Sequence, residues 1–121
     1  MMKNCILISG STTAIDTKLV SELQKTATVL TNLDNSNIES IIESTRVDII
    51  LLEISKENCS EIEIIKNIKS QYPDIEIILI NGGRDRALMA KAFKNGVKDA
   101  FRMPYKIALI VERVNALLRY K

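Results

Sequence analysis

The sequence predicts an α/β protein: a doubly wound, five-stranded parallel sheet in the order 2-1-3-4-5, with helices on both faces. Three observations lead there. Short apolar runs alternate, five times over, with longer stretches whose apolar residues recur at helical spacing. The runs are close to continuously apolar, as strands are when both faces are covered. The connections are short, and right-handed crossovers between parallel strands then favour a doubly wound sheet.

Each element has its own signal. Cys5-Ile6-Leu7-Ile8 is the first strand. Thr13 with Asp16 three residues on marks a helix start, and Ile15, Leu19 and Leu23 recur behind it. Residues 27–30 form a short second strand. Ser36 and Glu39 have capping-box spacing, ahead of a helical face of Ile38, Ile41 and Ile42. Val47-Asp48-Ile49-Ile50-Leu51-Leu52-Glu53 is the third strand, an apolar run ending on one carboxylate. Ser60 and Glu63 open a helix carrying Ile62, Ile65, Ile68 and Tyr72, and Pro73 stops it. Residues 75–80 are the fourth strand, followed by the turn Asn81-Gly82-Gly83. A helix over 87–95 turns Leu88, Met89, Ala92 and Phe93 inward and is closed by Gly96. Residues 99–102 are the fifth strand. After Pro104, Ile107, Ile110, Val111, Val114, Leu117 and Leu118 make the last amphipathic helix. Residues 1–121 are read as one domain, with any output domain outside this chain.

Composition narrows the function. The chain has 121 residues, 46% hydrophobic and 26% charged, which suits one domain with a single core. Seventeen Lys and Arg against fifteen Asp and Glu leave a net charge of +2, too balanced to imply a nucleic-acid or membrane surface. No apolar run approaches a membrane span, and the N-terminus lacks a signal-peptide pattern, so the chain is read as cytoplasmic. There is no histidine, which removes His-based acid–base catalysis, the Ser-His-Asp triad and most zinc sites. Cys5 and Cys59 lack metal-ligand spacing. Cys5 reads as a small buried hydrophobe. Cys59 reads as an ordinary free thiol, because no cationic cluster flanks it.

Ligands of open α/β sheets gather beyond the carboxyl ends of the strands, so Glu53 stands where a functional group is expected. Its strand resembles the central strand of response-regulator receiver domains, which runs Asp-Leu-Ile-Leu-Leu-Asp. Asn95-Gly96-Val97-Lys98-Asp99-Ala100-Phe101-Arg102-Met103-Pro104 is similar to that family's Ala-Gly-Ala-Asp-Asp-Tyr-Leu-Thr-Lys-Pro. The resemblance covers essentially the whole chain, from element order to the spacing between Glu53 and Pro104. It implies a signalling module rather than an enzyme, and a cis Met103–Pro104 bond.

The resemblance also marks what is missing. In receivers the last residue of the central strand is an Asp that accepts a phosphoryl group, and Glu53 occupies the equivalent position. An acidic pair after the first strand helps hold magnesium; Ser9 and Gly10 match it. Asn81 matches the family's Ser or Thr, Ala100 its switch aromatic and Met103 its Lys. Magnesium is usually held by one or two carboxylates plus phosphate oxygens, so Glu53 alone is a poor site and no cofactor is expected. Each lost charge-stabilising donor costs about 3–4 kcal/mol in a transition state. Glu53 is then either a built-in mimic of the phosphorylated state or a solvated carboxylate left at a strand end. Its single charge, against about 1.5–2 for a phosphoryl group, favours the second. Arg84 is a candidate to pair with it.

The family's docking face, on the fourth helix, fifth strand and fifth helix, corresponds here to Arg86, Lys91, Lys94, Lys98, Asp99, Glu112, Arg113 and Arg119. It implies a protein partner or a second copy, with no membrane and no direct nucleic-acid contact; a solvated mixed-charge face is the alternative. A rival reading is a flavodoxin-like domain that holds an anion or cofactor in the loop Ser9-Gly10-Ser11-Thr12-Thr13. Aromatics at 4% of the chain speak against a flavin.

Overall fold

The computed structural model describes residues 3–11, 15–54, 60–80, 86–102 and 104–120. Five strands, β1 (Cys5–Ser9), β2 (Thr28–Asn32), β3 (Ile49–Glu53), β4 (Glu76–Ile80) and β5 (Asp99–Phe101), form one parallel sheet in the order β2-β1-β3-β4-β5. The helices are α1 (Thr17–Leu23), α2 (Ile38–Ser44), α3 (Ser60–Gln71), α4 (Arg86–Lys94) and α5 (Ile107–Leu118), with a 3₁₀ turn at Asn35–Asn37 before α2. The fold class, strand order and two-sided helix packing are those read from the sequence.

Successive strand residues point to opposite faces, so a continuous apolar strand feeds two cores. On one face Leu7, Ile50, Leu52, Ile77 and Leu79 pack with Ile38 and Ile42 of α2, Ile65 and Ile68 of α3, and Leu88 and Ala92 of α4. On the other, Ile6, Ile8, Ile49, Leu51, Ile78 and Ile80 pack with Leu19 and Leu23 of α1 and Ile110 and Val114 of α5. Helices α1 and α5 therefore cover one face, and α2, α3 and α4 the other. Strand order reverses between β1 and β3, so the crossovers leave these two strands in opposite directions, and their carboxyl ends mark the place where open α/β sheets hold ligands.

Local boundaries depart from the sequence reading where polar side chains compete for helix ends. Helix α1 starts one turn late: Asp16 is its N-cap, accepting from the amides of Lys18 (2.8 Å) and Leu19 (3.4 Å). The Ser36–Glu39 capping box does not form. Asp34 caps the 3₁₀ turn instead, accepting from the Ser36 amide and hydroxyl, and Asn37 precedes α2 without a side-chain cap. Glu39 accepts from Asn67 of α3 at 3.3 Å, so its carboxylate is turned away from the helix start. Strand β2 is shifted to Thr28–Asn32, because Ala27 still donates to Leu23 while Thr31 and Asn32 pair with Ile8 and Ser9. Phe93 is 45% exposed rather than inward, whereas Met89 packs on the core. Gly96 closes α4 as read: φ is 106°, its amide donates to Phe93, and Val97 donates to Ala92, the paired bonds of a Schellman cap. Thr13, Cys59, Asn81, Arg84 and the Met103–Pro104 bond lie outside the described residues.

Candidate functional site at the carboxyl ends of the strands

The residues at the crevice are set by strand register. Ser9 is the last residue of β1, level with Asn32 of β2 and Leu52 of β3, and Glu53 ends β3 one step further on. The Ser9 side chain is fully buried. Its hydroxyl donates to the Asn35 carboxamide oxygen at 2.6 Å and accepts from Asn32 Nδ2 at 3.0 Å. Asn35 Nδ2 in turn donates to the Glu53 carbonyl at 3.0 Å. Asn32 Nδ2 also donates to the Asp34 carbonyl at 2.6 Å, and the Asn32 carbonyl accepts from Gly10 at 3.0 Å. Gly10 is buried beside Ser9.

The Glu53 side chain is half-buried and reaches back over the end of β1, where Oε1 accepts from the Ser11 amide at 2.7 Å. It is thus neither fully solvated nor aimed outward. The extra methylene of Glu over Asp gives the carboxylate the reach to engage the loop following the neighbouring strand. Tyr105, just before α5, completes this end of the molecule. Its ring packs on the core beneath α1 and α5, and its hydroxyl is buried without a hydrogen-bond partner among the described residues. Burial pushes the Tyr105 phenol above its ordinary pKa, and the nearby Asp16 and Glu53 carboxylates push it the same way.

The other sequence-selected positions lie apart. Ala100 is in mid-β5, level with Leu79, half-buried and packed towards the α4 side of the sheet. Its methyl group has no rotamer to change. Among the described residues, no group of three or more His, Cys, Asp or Glu stands together as a metal site would require. Sequence reasoning missed Asn32 and Asn35. The available signal was the polar run Asn32-Leu33-Asp34-Asn35-Ser36-Asn37, placed where β2 opens onto the same end of the sheet as Glu53.

The eight residues assigned to a docking face separate into groups. Arg86, Lys91 and Lys94 are exposed on α4. Lys98 approaches Glu76 at 3.7 Å, and Arg113 of α5 pairs with Asp99 of β5 at 3.2 Å, so these cations are already engaged within the domain. Glu112 lies on the other side of α5, lining a groove with Thr17, Lys18, Ser21 and Glu22 of α1. Arg119, exposed, follows Glu112 by seven residues, close to two turns on. No helix among the described residues is long and apolar enough to cross a membrane.

No family model matches the chain. Among curated proteins it is similar to the heme response regulator HssR of Staphylococcus aureus, 25% identical over 79 residues, 65% of this chain. The match covers 35% of HssR, so the chain spans about a third of that relative's length. Solved structures align over nearly the whole chain. The signal receiver domain of an HD domain-containing protein from Pseudomonas fluorescens gives a TM-score of 0.86 at 21% identity, over 99% of this chain and 90% of that one. A CheY-like receiver domain protein from Methanospirillum hungatei gives 0.86 at 17%, over 98% and 95%. The BeF3-activated receiver domain of DrrB gives 0.82 at 23%, over 98% and 99%, and DrrB is described as an OmpR/PhoB homologue of Thermotoga maritima. At these identities the likeness is one of fold: the chain has the receiver-domain fold.

Proposed function

We propose that this receiver-fold domain, residues 1–121, is a cytoplasmic protein–protein signalling module of two-component type that works without being phosphorylated and without catalysing a reaction. The observation that carries the reading is the neutral network at the ends of β1 and β3. Magnesium takes oxygen ligands and favours carboxylates. At Ser9 the chain offers a hydroxyl already bonded to Asn35 and Asn32, and at Gly10 no side chain at all. The Glu53 carboxylate at the end of β3 is turned onto the Ser11 amide. Phosphoryl transfer depends on positioning and charge stabilisation, and Met103 and Ala100 supply no charged or hydroxyl group for either. The rival use of loop 9–13 as an external anion site is disfavoured by the same contact, since the Ser11 amide already holds an anion of the protein's own.

Output then passes through a surface. The α4–β5–α5 side supports a protein partner or a second copy: it carries the exposed cations Arg86, Lys91 and Lys94 beside an exposed Phe93, with Leu109 exposed on α5. Aromatic side chains such as Phe93 are enriched at partner surfaces. Glu112 and Arg119 continue the exposed side of α5 from Leu109, with Glu112 at the edge of the groove with α1. Direct nucleic-acid or membrane binding is not part of the reading, given the net charge of +2.

Incubation with acetyl phosphate or phosphoramidate and magnesium tests it. Intact-mass spectrometry is expected to show no added phosphoryl group, and millimolar magnesium to leave the Tm unchanged relative to sodium at matched ionic strength. A stoichiometric mass gain at Glu53 would overturn the proposal.

A further inference from the structure

We infer that the segment 32–35 is a built-in strap that crosses the switch point and holds the loop after β1 in one arrangement. The inference deepens the fixed-conformation reading above and rests on it for its functional meaning. Asn35 belongs to neither strand that it joins. It follows β2, crosses the end of β1, accepts the Ser9 hydroxyl at 2.6 Å and donates to the Glu53 carbonyl of β3 at 3.0 Å. A carboxamide suits this place because it carries an acceptor and donors on one planar group; a carboxylate would have no donor for the Glu53 carbonyl. Asn32 fixes the other end of the strap, through its amide to Ser9 and Asp34 and through its carbonyl to Gly10. The buried Ser9 hydroxyl both donates and accepts, so its one proton and one of its lone pairs are engaged within the protein.

The consequence is mechanical. Residues 9–11 cannot shift without breaking the bonds from Ser9 to Asn35, from Gly10 to Asn32 and from Ser11 to Glu53 together. In the fold, this loop borders the crevice where a ligand would enter. The Ser9 hydroxyl and the Gly10 amide are bonded to the strap, and the Ser11 amide to Glu53, so the loop is tied down on both sides.

Amide hydrogen exchange by NMR on the 121-residue chain tests the strap. Asn35→Ala is expected to raise exchange at Gly10 and Ser11 by about tenfold, equivalent to ~1.4 kcal/mol of lost local protection. Exchange at Ile50 and Ile78 in mid-sheet is expected to stay at the wild-type rate. Asn37→Ala is the control, because Asn37 makes no capping bond from its side chain, and it should leave Gly10 and Ser11 unchanged. Ser9→Ala removes the other partner and should reproduce the Asn35→Ala effect, which keeps the test informative if Asn35→Ala fails to fold. Wild-type exchange at Gly10 and Ser11 in a folded Asn35→Ala or Ser9→Ala variant would overturn the strap. So would an equal rise at Ile50 and Ile78, or an equal effect of Asn37→Ala. Phosphorylation of the wild type would instead overturn the function proposed above, and leaves these exchange rates as they are.

Discussion

Glu53 shows how far one methylene carries. The apolar run before it made its position legible, because a strand covered on both faces must end where polar residues return. Its role was not legible, since the partner is a backbone amide 42 positions away in sequence, and only the pairing of β1 with β3 brings the two together. Hydrogen bonds to charged groups contribute about 1.5–3 kcal/mol when buried, and less at a half-exposed site. Glu53→Ala is therefore expected to lower stability by about 1 kcal/mol in urea denaturation, and Glu53→Gln, which keeps an acceptor, by less than half of that. An unchanged midpoint in Glu53→Ala would mean that the contact holds nothing. Cys5 was read correctly as a buried small residue. Burial raises its thiol pKa, and the neighbouring Asp48 carboxylate, which accepts the Cys5 amide at 2.8 Å, raises it further. Cys5 is accordingly expected to resist thiol reagents in the native protein and to react at the rate of unfolding. Labelling that outpaces unfolding would show local opening of β1.

At the scale of elements, strands were read more accurately than helix starts. The pattern of a covered strand depends on the residues themselves, whereas a helix start depends on which of several Asp, Ser and Asn side chains wins the free amides. Asp34 winning over Ser36 is the example. The Ser36 hydroxyl, and after it the Ser36 amide, hold its carboxyl below the ordinary 3.8, so it stays ionised to lower pH in the folded chain. A depressed folded value means that the cap contributes stability at pH above 3.8, and loses it as pH falls through the lower folded value. Asp34→Asn keeps a side-chain acceptor, and is expected to remove this component from the acid limb of a stability–pH curve. An acid limb unchanged from wild type would show that Asp34 is not among its sources. Gly96 was legible because a left-handed residue ending a helix is so often glycine. An added Cβ there would meet Lys69 Cε at 3.1 Å and adopt a φ of 106°. Gly96→Ala is expected to cost about 1–2 kcal/mol in thermal or urea unfolding. A neutral Gly96→Ala would show that the cap relaxes without cost.

For the whole molecule, two cores on opposite faces of one sheet fix the strand ends relative to one another, and the chemistry at those ends then follows from a few polar side chains. The fold was legible because short, continuously apolar runs alternate along the entire chain with stretches of 3.6 periodicity. The site was legible only as a set of substitutions at Ser9, Gly10, Asn81, Ala100 and Met103; what fills the space, the Asn32–Asn35 strap, comes from a segment whose register the sequence does not reveal. A switching receiver needs two states with a ligand that prefers one of them. Here the loop after β1 is bonded to β2 and β3 together, and Ala100 offers no side chain to swing. Relaxation-dispersion NMR on the wild-type chain tests this most directly. Flat dispersion profiles across residues 9–11, 32–35, 81–84 and 99–102 are expected. Microsecond-to-millisecond exchange concentrated in loop 81–84 and β5 would show that a second state survives and would contradict the fixed-conformation reading.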